Sequence, residues 1–331
     1  MSEGGIGRAG LIRIGSRGSQ LALWQAEHVA GLLRGRGFAV EIEVIRTTGD
    51  RLQEVTFAQV GTKGMFTLEI EEALAEGRID LAVHCLKDLP TELPAGFVLG
   101  ATPTRVDPRD VLVSREYESL QALPEGARIG TSSLRRRAQL REIRPDLEYI
   151  EFRGNVDTRL RKLGEGQAAA IVLAAAGLDR LEKTEWVRER IAPEVVCPSA
   201  GQGALGIEIR VGDTRVAEAV AFLDDAETRF AVTAERTALT ALGGGCQVPI
   251  GVHCRRVAAV EAIPHLSANG ADRYGAPAGV EYEILGVVAE PFGGRVIRSR
   301  KVGDLAEALG LALAADLIRS EERRVGKECL E

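Results

Sequence analysis

Through its first two thirds the chain alternates short apolar β runs with stretches of helical period, and no other feature of the sequence narrows the fold as far. Leu11–Ser16 reads as a strand, and Ser19–Arg34 follows with Leu21, Trp24, Ala26, His28 and Leu32 on a helical period. Val40–Thr47 alternates apolar and polar residues as a half-buried strand does. Phe66–Ala75 is helical, and Leu81–His84 is a buried strand closed by Pro90 and Pro94. After Asp107-Pro108 the alternation resumes, with strands expected at Val111–Ser114, Arg128–Gly130, Glu148–Phe152 and Ala169–Leu173. Helices from Ser133, Val156 and about Ala175 lie between them. Such βαβ repetition predicts sheets covered by helices on both faces.

The last third changes character. Ala226–Leu242 is one amphipathic helix stopped by Gly243-Gly244-Gly245. Strand-like runs at Ile250–Cys254, Glu281–Ala289 and Arg295–Arg300 and a helix over Asp304–Arg319 predict a small α+β domain. Ala262–Gly279 reads as a surface insertion, and the polar stretch Glu321–Glu331 as a frayed tail. At roughly 100–200 residues per domain, 331 residues suggest two or three.

Composition excludes several classes. With 45% apolar and 27% charged residues the chain is globular, and a net charge of −6 argues against a generally basic nucleic-acid binder. Its longest apolar run, Ala168–Leu178, has eleven residues, whereas a membrane span needs about 20. The N-terminal MSEGGIGRAG lacks a hydrophobic stretch, so no secretory signal is expected. Five scattered cysteines without a CxxC pair fit neither a disulfide framework nor a zinc site, and four histidines have no ligand spacing. These features suggest a reduced, cytoplasmic, metal-free protein. Of its 42 basic residues 36 are arginine, which reflects either codon usage or a need for planar, bidentate anion donors.

Four segments carry candidate chemistry. Between Arg128 and Arg161, nine arginines and five acids make a positive stretch inside an acidic chain. In GTSSLRRR (Gly130–Arg137), Ser132 or Ser133 can cap a helix whose free N–H groups and dipole point outward. Arg135 and Arg136 sit in its first turn, which the dipole disfavours by about a few tenths of a kcal/mol unless an anion is near. RGNVDTRL (Arg153–Leu160) repeats the arrangement, with Asn155 at the cap position and Arg153 and Arg159 beside it. A single arginine run is commonly a solvated helix face; two sets at two strand-to-helix turns point to an anionic ligand, because open α/β sheets bind ligands at strand C-ends.

In VHCLKDLP (Val83–Pro90), Lys87 and Asp88 lie just beyond a buried strand, as a surface ion pair or as a carboxylate that stabilises a developing cation. In GGGCQVPIG (Gly243–Gly251), Cys246 is either a small buried hydrophobe or a covalent attachment point made approachable by glycine. In GSRGSQLALWQA (Gly15–Ala26), Arg17 and Ser19 open the first helix, without GxGxxG; GxxxxGK[ST] is also absent, so neither nucleotide signature is supported.

IGSRGSQLALWQA, VGTKGMF, VHCLKDLP, GTSSLRRRAQ, RGNVDTRL and GGCQVPIG, in this order and spacing, resemble the porphobilinogen deaminase (hydroxymethylbilane synthase) family from about Leu11 to Leu317. The resemblance implies a transferase that joins four porphobilinogen molecules, releases four ammonias and hydrolyses the chain to hydroxymethylbilane. It implies a dipyrromethane cofactor held by a thioether to Cys246. Asp88 would be the catalytic carboxylate, with Lys87 beside it. Thr131, Ser132, Ser133, Arg135, Arg136, Arg153 and Gly154 would join Lys87 and Asp88 in holding the cofactor. Arg17, Ser19, Phe66, Arg153, Arg159 and Arg180 would bind substrate, and Lys63 would follow a mobile loop at Thr48–Gly61.

The implied fold is α/β in three domains. Two periplasmic-binding-protein-like lobes with mixed sheets, 1–103 with 200–222 and 104–199, would face a cleft, and a small α+β domain, 223–331, would carry Cys246. The implied partner is porphobilinogen alone, with no nucleic acid, membrane or metal, in a monomer. A solute-binding protein for an anionic ligand is the alternative reading, which the cysteine loop and missing signal disfavour. An RNA-binding module built on Arg128–Arg161 is disfavoured by 4% aromatics and net −6.

Cys85 departs from the family pattern, which usually has a hydroxyl residue there; a thiol is a weaker hydrogen-bond donor. Its place near the expected reacting centre predicts sensitivity to oxidation. Peroxide should inactivate the wild type faster than Cys85→Ser; equal rates would refute this.

Overall fold

In the computed structural model the described residues are 10–47, 67–244, 249–257, 275–276, 280–291 and 294–328. Among them the chain divides into two compact units, residues 1–104 with 205–225 and residues 105–204 with 226–331.

The first unit opens with β1 (Leu11–Arg17), α1 (Gln20–Arg34) and β2 (Ala39–Ile45). Ser19 caps α1, its Oγ accepting from Ala22 N at 3.3 Å, and this ends the strand and starts the helix within two residues. Then come α2 (Leu68–Ala75), β3 (Leu81–Cys85), a single 3₁₀ turn over Leu86–Asp88, and β4 (Phe97–Ala101).

The chain next enters the second unit with β5 (Asp110–Val113), β6 (Arg128–Gly130), α3 (Leu134–Ile143), β7 (Glu148–Ile150) and α4 (Val156–Gly164). There follow β8 (Ala170–Ala174), α5 (Ala175–Arg180) and β9 (Val187–Ile191). It returns to the first unit for β10 (Leu205–Arg210) and α6 (Thr214–Val220), and ends in the second with α7 (Ala226–Ala241), β11 (Ile250–Val257), β12 (Glu281–Ala289), β13 (Val296–Gly303) and α8 (Ala306–Glu328).

Two five-stranded sheets repeat one topology. In the first, β2, β1 and β3 are parallel and β10 runs antiparallel between β3 and β4. In the second, β7, β6 and β8 are parallel and β5 runs antiparallel between β8 and β9. Ile12, Ile14, Leu81, Val83 and Ile207 pack against Val29 and Leu33 of α1 and Val216 and Val220 of α6, while Ile70 and Leu74 of α2 cover Ile45 and Ala82. The second sheet is likewise covered on both faces, by Leu140 of α3 and by Leu160, Leu163 and Leu178 of α4 and α5. The expected two-sided α/β layers are thus present. The third sheet is an antiparallel meander, β11-β12-β13, whose Val252, Ile284 and Ile250 pack on Phe230, Ala234, Leu313 and Leu317 of α7 and α8.

Three differences from expectation have physical causes. Strands β4 and β9 went unread because both are half-exposed edge strands, β4 with its apolar run broken by Gly100 and β9 with three charged residues among five. Strand β10 hides behind Glu208, a carboxylate inside an otherwise apolar run. The tail expected to fray from Glu321 continues α8 to Glu328, since extending an existing helix costs little and Glu, Arg and Lys favour it. Most of the Ala262–Gly279 insertion lies outside the described residues.

Within the second unit the chain is fastened by Glu235 of α7, which is fully buried. Arg105 donates to it twice, Nη1 to Oε1 at 2.6 Å and Nη2 to Oε2 at 3.2 Å. Gly201 N donates to Oε2 and Cys254 N to Oε1, each at 2.7 Å. Burial alone would raise this carboxyl's pKa, but Arg105 and His253 outweigh burial and lower it. Glu235→Ala leaves Arg105, whose side chain is only 10% exposed, without its counter-charge and should cost about 3–5 kcal/mol. A urea midpoint, read by circular dichroism, should fall accordingly, and less for Glu235→Gln.

Candidate active site

In the first unit the parallel strands β1 and β3 end on the same edge of their sheet, and the elements that follow put candidate side chains there. Arg17 closes β1 and Ser19 caps α1. After β3, Cys85 accepts a hydrogen bond from Gln25 Nε2 at 2.8 Å, and the 3₁₀ turn begins. Its two flanks, Leu86 and Leu89, are buried, and Leu89 N donates to Leu86 O at 3.2 Å. Anchored on both sides, the turn leaves Lys87 half-buried and Asp88 exposed.

The second unit presents the corresponding edge. Gly130 ends β6 where an added Cβ would lie 2.6 Å from the Phe152 ring, so only glycine lets the next strand-end residue pack there. The hydroxyls that follow shape the turn: Ser133 N donates to Thr131 Oγ1, Phe152 N to Ser132 Oγ, and Arg136 N to Ser133 Oγ. Ser133 is therefore the cap of α3. At the next turn Asn155 Oδ1 accepts from Thr158 N at 2.9 Å and caps α4, while Gly154 takes φ +122°, a conformation side-chain-bearing residues rarely adopt. Arg153 pairs with Glu151 at 3.3 Å and is more than a third exposed. Arg159 is half-buried on α4. Arg180, at the end of α5, is buried and donates to Gly203 O at 2.8 Å.

Arg135 and Arg136 point inward, onto Asp110, which is fully buried at the start of β5. Arg135 Nη1 donates to Asp110 Oδ2 at 2.8 Å and to Cys197 O, and its Nε to Ser199 Oγ. Arg136 reaches Asp110 Oδ1 through Nε at 3.0 Å and Nη2 at 2.7 Å, and Val172 O through Nη1. Gln202 Nε2 completes the shell at 2.9 Å from Oδ1. Burial would raise the Asp110 carboxyl, but the two guanidiniums hold it well below the usual carboxylate range. Their first-turn position, read from the sequence as a sign of a bound anion, is already met by this internal one. Arg137 Nε, one residue on, is a buried donor without a partner among the described residues.

Sequence reasoning missed Asp110, Gln202, Glu235, His84 and Glu208. A carboxylate inside an apolar run, as in DVLV or LGIEIR, was the available signal. Cys246, Phe66, Lys63 and the Thr48–Gly61 loop lie outside the described residues. Cys197 and Cys254 are buried; burial pushes the Cys197 thiol up to about 12 and the Cys254 thiol well above its ordinary value, which suits neither to nucleophilic attachment.

A model of the porphobilinogen deaminase dipyrromethane cofactor-binding domain matches residues 12–218, and one of that enzyme's C-terminal domain matches 229–319. The chain belongs to the porphobilinogen deaminase family. Membership makes it an enzyme of tetrapyrrole biosynthesis, a transferase that polymerises porphobilinogen and uses a dipyrromethane cofactor. A porphobilinogen deaminase of Nitratidesulfovibrio vulgaris is 47% identical over 313 residues, covering 92% of both chains. One of Syntrophotalea carbinolica is 46% identical over 318 residues, covering 95% of this chain and 94% of its own. Among solved structures, a periplasmic substrate-binding protein from Coxiella burnetii is 16% identical with a TM-score of 0.40, covering 64% of this chain and 91% of its own. The L-cystine solute receptor of Neisseria gonorrhoeae is 14% identical with a TM-score of 0.35, covering 65% and 86%. No described helix is long and apolar enough to cross a membrane.

The residues present fit the family's cofactor. Its rings carry carboxylates, and the strand-end edge of the second unit offers two helix N-termini, capped by Ser133 and Asn155, with Arg153, more than a third exposed, between them.

Asp110 is an acid-stability determinant as well as a scaffold. Because its pKa is depressed in the fold, its contribution is present above the ordinary aspartate value of about 3.9 and is lost as pH falls below it toward the folded value. Asp110→Asn should cost about 3–5 kcal/mol at neutral pH and flatten the acid limb of a stability–pH curve followed by circular dichroism.

Proposed function

We propose that Asp88 is the carboxylate that carries the chemistry, with Lys87 beside it, and that Cys246 holds the cofactor through a thioether. The observation that supports this most is the 3₁₀ turn, which holds Asp88 in solvent between two buried leucines at a strand C-end. When bound, the dipyrromethane supplies the pyrrole carbon that attacks incoming substrate. Asp88 stabilises the positive charge that develops on a pyrrole as ammonia leaves, and again as the new carbon–carbon bond forms; a fixed carboxylate costs no reorganisation at that moment. Lys87 holds a positive charge next to it for substrate carboxylates.

Thr131, Ser132 and Ser133 orient the first helix N-terminus toward cofactor carboxylates, and Gly154 permits close approach at the second. Arg153, Arg159, Arg180, Arg17 and Ser19 bind acetate and propionate groups, and Phe66 packs beside a ring. Lys63 lies just after the Thr48–Gly61 loop that covers the site. Arg135 and Arg136 contribute a fixed positive field, and Arg135 Nη2, which makes no protein hydrogen bond among the described residues, is its donor to the cofactor.

The same reading takes the protein as a cytoplasmic monomer without nucleic-acid partners. Its three domains are 1–103 with 200–222, 104–199 and 223–331; the separate sheets β7-β6-β8-β5-β9 and β11-β12-β13 inside the second unit support the last division.

Incubation with porphobilinogen followed by intact mass should show a two-ring adduct on the resting enzyme and discrete additions of one to four rings. Cys246→Ser should abolish turnover and the adduct, whereas Cys254→Ser should keep both; the reverse would reassign the anchor. Asp88→Asn should lower kcat on the order of a hundred-fold or more with a far smaller change in KM.

A further inference from the structure

Behind the Lys87–Asp88 turn lies a group of titratable side chains that the proposed chemistry does not use. His84, on β3 four residues before Asp88, is buried, and its Nε2 is 3.0 Å from Oε2 of the fully buried Glu208 on β10. The two strands are antiparallel neighbours with Gly206 opposite His84 and Glu208 opposite Ala82, so His84 and Glu208 form a diagonal pair on one face. The helix α2 packs on that face through Ile70 and Leu74, beside Ala82, and brings the buried Glu71 with it. One oxygen of each acid, Glu71 Oε1 and Glu208 Oε1, is buried without a partner among the described residues.

We propose that His84, Glu208 and Glu71 form a buried polar cluster that positions the Lys87–Asp88 turn, His84 being the positioning residue that fixes the end of β3 through Glu208. The inference takes from the proposed function only that Asp88 carries the chemistry.

Charge balance supports it. In a buried site a second carboxyl near an existing one is favoured as the neutral acid. Glu71 is that second carboxyl: burial first, and then the Glu208 charge, raises its pKa, with Thr67 and His84 opposing. The other ionisable groups on the elements packed here are Arg13 and Arg17 on β1, Glu41 and Glu43 on β2, Glu69 and Glu72 on α2, Cys85 on β3 and Arg210 on β10. Glu43 is engaged by Arg78, and Arg210 by Asp213, Leu74 O and Ile79 O, at the end of the helix away from Glu71. As pH rises, loss of the Glu71 proton adds a second negative charge to the buried group behind β3. That change loosens the strand that delivers Asp88, so it acts on the limb of the activity profile that falls with rising pH.

The test compares kcat, KM and thermal unfolding across pH for wild type, E71Q, H84Q and E208Q. The amide in E71Q imitates the protonated acid and should move the alkaline limb of kcat to higher pH by about half a unit or more. H84Q and E208Q should each lower kcat about ten-fold with KM within about three-fold, and the double variant should be no worse than the weaker single. Unfolding needs no substrate. Because Glu71 has its pKa raised in the fold, the folded state binds more protons, and wild-type stability should fall as pH rises through the window above the ordinary glutamate value. E71Q should lose that slope.

A wild-type slope in E71Q together with an unmoved alkaline limb overturns the cluster, and so does wild-type kcat in H84Q. If H84Q and E208Q fail to fold, the two E71Q measurements decide. Retained turnover in Asp88→Asn would instead remove the reading of Asp88, and the unfolding slope would still judge the cluster.

Discussion

Glu235 is the constraint on which the second unit rests. One carboxylate, wholly out of water, takes hydrogen bonds from Arg105, Gly201 and Cys254, three stretches that meet nowhere else in sequence. Removing a charge from water costs several kcal/mol, and an ion pair recovers that only when its remaining lone pairs are also used. Both oxygens here accept twice. The site therefore specifies one arrangement of chain more than it adds net stability. Either partner alone would be worse than none. Thr102 and Asp224 make a similar fastening in the first unit, where Thr102 N and Oγ1 both donate to Asp224 Oδ1 at 2.7 and 3.0 Å.

The two five-stranded sheets share a strand order but take their antiparallel strand from opposite directions along the chain. The first receives β10 after the excursion through the second unit, and the second receives β5 on entry to it. The first sheet is thus completed only after the chain returns, whereas all five strands of the second come from the single stretch Asp110–Ile191. Parallel strands leave their C-ends on one edge, and at those edges the turns place capping hydroxyls, a cap asparagine and the Lys87–Asp88 pair.

Local chemistry was readable and distant chemistry was not. The strand at Arg128–Gly130, a cap at Ser132 or Ser133 and another at Asn155, the helix ending at the glycines and the surface position of Asp88 follow from neighbours a few residues apart, where periodicity and turn preference act. Asp110 meets Arg135 and Arg136 across 25 and 26 residues, Glu208 meets His84 across 124, and Arg105 meets Glu235 across 130. In sequence these acids look like any surface carboxylate, because nothing local records that they leave water. The inward turn of Arg135 and Arg136 was hidden for the same reason. Family motifs compensated in part, since they tie together residues whose spacing carries no local signal.

The fork from Arg135 and Arg136 to Asp110 also has a thermodynamic consequence for whatever anion meets that edge. A free arginine side chain carries about 2 kcal/mol of rotamer entropy. Here that freedom is surrendered when the chain folds, and none of it is left to be surrendered at the moment of encounter. The guanidinium pair stays set, whatever meets that edge.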